Sequence, residues 1–469
     1  MHIFAWMMRR SACGLCLLMF LQSVFAAPTQ FAAAIQIPML TEAKLNGNFW
    51  IKQLANPDQL LITELQQQQW QQQLVDAQLL QTFTALKTQY NAAELAAIMQ
   101  KVSAIPKAAR FFADGREVTA TDFNQWQQQM AVPSFQGSRA AQYALMIRRG
   151  NVRSWPTLEL LTNSGLDVDL DRLQETALYV GQWLQVLHYN QDRQWALVRT
   201  DHYTGWMQVT DFALTDRETI AQFLASPQWL WVTGPRASTN VTPEQASVSA
   251  VNLDMGVRLP LLPTPDTLVN GQHPAFSYLV QLPTRATDGR LQLQPALIAR
   301  QQDVSVAPLA FTQRQLLSQA FKFLGERYGW GHGYQGRDCS GFIRDIYQTF
   351  ALNLPRNTSE QAMMPAPQSL DVSAWSPRDK LQQLKRSQAG DLLFIPGHVM
   401  MVLGVIDGEV WVIHDANGLS LRTADSKFVQ SKLNGVSVTP LSVLLVSETA
   451  SYIDVMTKIQ RLSAQPLAN

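Results

Sequence analysis

The chain has 469 residues, 46% of them hydrophobic, with 37 basic and 36 acidic side chains. So even a balance offers no basic excess for a polyanion and argues against nucleic acid as a partner. Three cysteines are too few for a disulfide framework, and the length allows three or four domains built on hydrophobic cores.

The first element in chain order is an export signal, predicted over residues 1–26. Arg9 and Arg10 form a positive n-region, Leu15 to Phe20 an apolar stretch, and Val24-Phe25-Ala26 a small-residue cleavage site. The apolar run is short of the roughly 20 residues a spanning helix needs, so no membrane span is expected after cleavage. Cleavage after Ala26 removes Cys13 and Cys16, leaves Cys339 as the one thiol, and turns the formal charge from +1 to −1.

A glutamine-rich stretch follows, "NPDQLLITELQQQQWQQQLVDAQLLQTFTALKTQY". Leu60, Leu61, Leu65, Trp70, Leu74, Leu79, Leu80 and Phe83 recur at helical spacing, and a helical domain is predicted over residues 27–135. From about residue 140 the pattern changes to short β-rich runs such as "LYVGQWLQVLHYN" and "RQWALVRTDHYTGWMQV", punctuated by Asn, Asp, Gly and Pro. Two small β-barrels are predicted, over 136–225 and 226–308, with "TGPRASTNVTPEQAS" as the linker between them.

The helical period returns in "FTQRQLLSQAFKFLGERYGW", with Thr312 as its cap, and opens a last domain over 309–469. "GRDCSGF" comes next, and Phe342, Ile343, Ile346, Tyr347 and Phe350 continue one helical face behind Cys339. Three strands follow, "DLLFI", "HVMMVLGVI" and "EVWVIHDA", with a hairpin turn at Asp407-Gly408.

A cysteine at a helix start meets backbone N–H groups and the positive dipole end, which favour the nucleophilic thiolate. The adjacent Asp338 opposes that, so its carboxylate is expected to cap the helix or to hold a substrate cation. A thiol nucleophile needs a base, and the base an orienting group. His188, His202 and His273 fall among the β-runs and read as ordinary histidines, and His332 reads as a solvent-facing loop residue. His398 and His414 lie on neighbouring strands of one hairpin. A strict two-residue turn there pairs His398 with Asn417 and His414 with Met401, which puts the two imidazoles on opposite faces. A bulge would reunite them; otherwise Asp415 or Asn417 is the third residue, and register alone selects Asn417. No motif has metal-ligand spacing, and "GWGHGYQG" lacks the Walker lysine and the dinucleotide spacing, so no metal or cofactor is expected.

Five motifs in order, "RYGWG", "RDCSGFIRDIY", "LPRNTSEQ", "AGDLLFIPGHVMMVLG" and "VIHDANG", resemble those of the NlpC/P60 cell-wall cysteine peptidases over about 150 residues. "RRGNVRSWPT" and "GQWLQVLHYN" resemble the first SH3-like barrel of multi-domain members, which carry an N-terminal stabilising domain and two bacterial SH3-like barrels. The resemblance implies a multi-domain chain: an α-helical N-terminal segment, two SH3-like β-barrels and a C-terminal α+β papain-like domain. It implies an exported enzyme, periplasmic or extracellular, that acts on peptidoglycan stem peptides or muropeptides at the γ-D-Glu–diamino acid bond. Carried over, Cys339 is the nucleophile, His398 the base and His414 its orienter, against the register count. Tyr328, Asp338, Ser340 and Thr358 match substrate-lining positions, with Asp338 holding the free amine of an N-terminal L-Ala. A wall-binding protein without activity, or an acyltransferase on the same scaffold, are the other classes; the acceptor of the acyl group separates the last from a hydrolase.

Overall fold

The computed structural model describes residues 34–423 and 426–463, so the predicted signal, with Cys13 and Cys16, lies outside the described residues. No helix among the described residues is long and apolar enough to cross a membrane.

The C-terminal domain is built on a six-stranded antiparallel sheet in the order Gln368–Asp371, Lys458–Arg461, Leu392–Ile395, His398–Ile406, Glu409–Arg422, Phe428–Pro440. Strand alternation divides its side chains between two cores. Val399, Met401, Trp411, Ile413, Val436 and Val438 face the helices, where Phe342, Ile343, Ile346 and Tyr347 meet Leu316, Leu317 and Ala320. Met400, Val402, Val410 and Val412 face the other way, onto Leu441, Leu444, Ile453 and Met456. Helix Gln313–Phe321 starts on Thr312, whose side chain accepts from the Gln315 N–H, as the sequence predicted.

The first β-unit is a seven-stranded antiparallel sheet. Its order is Phe212–Thr215, Gln142–Met146, Trp183–Tyr189, Trp195–Arg199, Thr204–Gln208, Gly150–Arg153, Gln174–Leu178. The second β-unit is more broken. Trp229–Val232 pairs with Arg258–Pro260 and Val304–Ser305, while Arg236–Ser238 pairs with Asn252–Asp254 and Ser277–Arg285 with Leu291–Ala299. Its core is shared with the first: Tyr143, Leu145 and Tyr179 pack in one cluster with Leu230, Leu253, Val280 and Ile298.

The helical segment expected over 27–135 has its packing divided between two neighbours. Helix Glu64–Asp76 is shorter than the apolar spacing predicted; it opens on a Thr63/Gln66 capping box, and Gln78 beyond its end takes a positive φ of 58°. Its Trp70 and Leu74, with Trp50 and Ile51, pack into the C-terminal domain's helical-side core. Helices Ala92–Val102 and Ala120–Gln129 instead give Leu95, Met99, Phe123 and Trp126 to a cluster with Trp155, Trp195 and Trp206 of the first β-unit. Amphipathic spacing told which residues are buried, but not against what.

Candidate active site

The cysteine helix runs Cys339–Gln348. Asp338 is its N-cap and accepts from the Gly341 N–H at 2.8 Å. The preceding loop winds tightly enough that a Cβ on Gly341 would lie 2.0 Å from His332 Nε2, which makes glycine obligatory there. His332 is therefore not a solvent-facing residue, as the glycine-rich loop had implied. It is 1% exposed, its ring stacks on Tyr179, and burial among arginines holds its imidazole well below the usual range, hence neutral.

Cys339 is buried, its Sγ 3.5 Å from Thr358 Oγ1 and 3.9 Å from the Gly397 carbonyl, immediately before His398. Burial first, and the Asp338 charge second, push the thiol up to about 11, against the pull of the Thr358 hydroxyl. Burial pushes His398 down to about 4. Both shifts favour a neutral thiol–imidazole pair; the helix N–H groups oppose them.

The register conflict is resolved by a bulge. Ile406 pairs with Glu409, Val405 with Val410 and Gly404 with Trp411, as a two-residue turn requires; then Val402 pairs with Val412, leaving Leu403 as an extra residue. That one-residue slip carries His398 onto the face of His414. His398 Nε2 lies 2.8 Å from His414 Nδ1, and His414 Nε2 lies 2.9 Å from Thr439 Oγ1. Nδ1 is the His398 nitrogen that this relay does not use. Asn417, the residue register arithmetic selected, falls at a second irregularity, and its amide reaches Asn434 Oδ1 at 3.4 Å instead. Asp415 is buried with neither carboxylate oxygen hydrogen-bonded, and burial raises its pKa well above the usual range.

The remaining predicted residues gather here too. Tyr328 is 6% exposed, and after burial the nearby Cys339 and Asp338 charges raise its pKa further. Ser340 Oγ donates to Asp338 at 3.2 Å and accepts from Arg356 at 3.0 Å. Arg356 was missed by the sequence reading although it lies in "LPRNTSEQ". It is 2% exposed and grips Asp338 in a two-pronged pair, Nη2 to Oδ2 at 2.6 Å and Nη1 to Oδ1 at 3.0 Å. Its Nε donates to Thr176 of the first β-unit at 2.7 Å. Asp338 thus caps, as expected, and already holds a cation, but one from its own chain. Thr439 was missed as well; a threonine alternating with valines gives no signal until its strand partner is known.

A cavity of about 510 Å³ opens between the domains, with Glu175, Tyr203, Asn357 and Glu360 in its lining; Cys339, His398 and Thr358 do not line it. Among the described residues no group of three or more potential ligands is placed to hold a metal ion.

The site thus holds a buried cysteine at a helix N-terminus and, on the neighbouring strands, two hydrogen-bonded histidines. Residues 325–438 match the model of the NlpC/P60 family. Those residues are thus an NlpC/P60 domain. Residues 156–208 match the SH3 domain of SH3b1 type, which covers most of the first β-unit. A γ-D-glutamyl-L-lysine dipeptidyl-peptidase of Bacillus cereus is 30% identical over 183 residues, or 39% of this chain and 49% of that one. The chain thus spans about half the length of that curated relative. An NlpC/P60 endopeptidase from Photobacterium damselae subsp. piscicida is 15% identical, covers 92% of this chain and 98% of its own, and superposes with a TM-score of 0.72. That likeness extends the shared fold over nearly the whole NlpC/P60-containing chain.

Proposed function

We propose that the protein is an exported cysteine peptidase that hydrolyses peptidoglycan stem peptides at the γ-D-Glu–diamino acid bond. The observation that carries this is the 2.8 Å contact between His398 and His414 beside a thiol at a helix N-terminus. The B. cereus relative's name points to the same bond class. Export rests on the Arg9-Arg10 and apolar pattern at the chain start, and a second SH3-like unit on the broken sheets between 229 and 305.

In this reading Cys339 gives its proton to His398 as the sulfur attacks the γ-glutamyl carbonyl carbon. Backbone N–H groups at the helix start stabilise the oxyanion. The C–N bond then breaks, His398 returns the proton to the leaving amine, and water attacks the thioester to release the acid. His414, fixed by Thr439, keeps Nδ1 of His398 turned to the sulfur.

A preference for a free L-Ala amine was expected of Asp338, whose charge Arg356 already matches. The cavity lined by Asn357 and Glu360 supplies further carboxylates. Burial raises the pKa of Glu175 against the Tyr203 hydroxyl and the Arg356 charge, and an ammonium placed there would restore its negative form.

The test is incubation of the mature protein with defined muropeptides and measurement of product masses. Release of L-Ala-D-Glu is the expected result; intact substrate, or transfer to an added amine in place of water, would refute the hydrolase reading. The pH profile adds a second check. The base works only when neutral, so its depressed pKa should hold the acid limb of kcat/KM near pH 4, well below the ordinary histidine value of about 6.5.

A further inference from the structure

The matched family region ends at residue 438, yet the chain returns to the site beyond it. Leu445–Ser447 pairs with Ala450–Ser451, and a one-turn helix, Tyr452–Val455, follows. This turn is firmly seated. Ser451 and Asp454 form a capping box, the Tyr452 N–H donates to the Leu444 carbonyl at 3.0 Å, and Lys380 Nζ donates to the Asp454 and Met456 carbonyls at 2.8 and 2.9 Å. What it presents to the site is the Tyr452 ring, edge-on to the His398 imidazole, with centroids 6.1 Å apart and planes at 71°. His398 thus has two ring neighbours, His414 at 5.1 Å and Tyr452 at 6.1 Å, both T-shaped.

We propose that Tyr452 is a positioning residue for the reaction at Cys339, its ring holding the His398 imidazole in the orientation that His414 also fixes. The proposal rests on the peptidase reading above. The hydrogen bond that His398 Nε2 donates to His414 Nδ1 sets where Nε2 lies but leaves the ring free to pivot about that bond; contact with the Tyr452 ring limits the pivot. Edge-to-face contact is directional, so an aliphatic side chain of equal volume does not replace it. Tyr452 is partly buried and close enough to the thiol that a Cys339 charge, after burial, raises its phenol to about 12, so the hydroxyl stays neutral through the working range. The ring is therefore the working part.

The experiment compares Tyr452→Leu and Tyr452→Phe in the full mature chain. The leucine variant should lose about tenfold in kcat with KM little changed, and phenylalanine should restore it. Tyr452→Met, whose unbranched side chain adapts to an irregular space, takes the place of leucine should that variant unfold. Histidine side-chain NMR supplies a readout free of substrate: the His398 ring signals should broaden or shift in the leucine or methionine variant and return to wild type in phenylalanine. Unchanged kcat and unchanged signals without the ring would overturn the proposal, as would a phenylalanine variant as impaired as leucine. If wild type cleaves no muropeptide, the peptidase reading fails, and the NMR contrast alone then decides whether Tyr452 orders His398.

Discussion

The two β-units touch the cysteine domain in different ways. The first reaches the loop on both sides of the nucleophile. Gln174 donates to the Gly331 carbonyl at 2.8 Å, Arg149 to the His332 and Gly336 carbonyls at 2.8 and 2.7 Å, and Thr176 accepts from Arg356 at 2.7 Å. Tyr179 Oη donates to Asp345 inside the cysteine helix at 2.8 Å. The second unit holds the flanks: Asp254 pairs with Arg337 at 3.4 Å, and Asp303 with Lys322 at 2.6 Å on the preceding helix segment. Both units fill one core and both reach the loop before Cys339, since Arg236 of the second donates to the Gln335 carbonyl; the first alone adds the contacts to Gly331, Arg356 and Asp345. A small β-unit packed on the cysteine domain can therefore help to build the candidate site, and where its polar side chains end decides that.

Arg356→Ala should break this arrangement hardest. It leaves Asp338 as a buried charge facing Ser340 and two N–H groups alone, and loss of one partner of a buried pair costs about 3–5 kcal/mol. Urea unfolding would measure it, and lysine should not restore it, because one ammonium cannot make the two-pronged contact. A smaller effect is expected of Gln174→Ala, which leaves the buried Gly331 carbonyl without its donor, at about 1–3 kcal/mol, with a loss of kcat as the loop relaxes. Least of all is expected of Asp303→Ala in the second unit. Its pair with Lys322 is solvent-exposed, worth about 0.2–1 kcal/mol, and kcat should stay at the wild-type value. Should Asp303→Ala depress kcat more than Gln174→Ala, the division of roles between the units is reversed.

Much of the site was legible because it is local. A cap, a cysteine and an apolar helical face lie within "RDCSGFIRDIYQTF", and the hairpin turn is written in Asp407-Gly408, where both residues take positive φ, 52° and 78°. What stayed hidden depends on contacts distant in the chain. Leu403 looks like any strand residue, yet as the bulge it moves His398 across the sheet. His332 looks like loop and is core, because its ring fills the space beside Gly341. Arg356 carries a motif position, but its partners Asp338 and Thr176 are 18 and 180 residues away. The amphipathic helices before residue 135 announced burial correctly, and two separate domains supplied the partners.

The central claim is that Cys339, His398 and His414 form the reacting line, and one comparison tests it most directly. Rates of cleavage of a defined stem tetrapeptide by His414→Ala and Asn417→Ala would be measured, with Cys339→Ser as the inactive reference. Groups that act as a unit fail together, so His414→Ala should lose about two to four orders of magnitude in kcat/KM while Asn417→Ala stays within about threefold of wild type. A crippled Asn417→Ala beside an active His414→Ala, or wild-type turnover by Cys339→Ser, would contradict it.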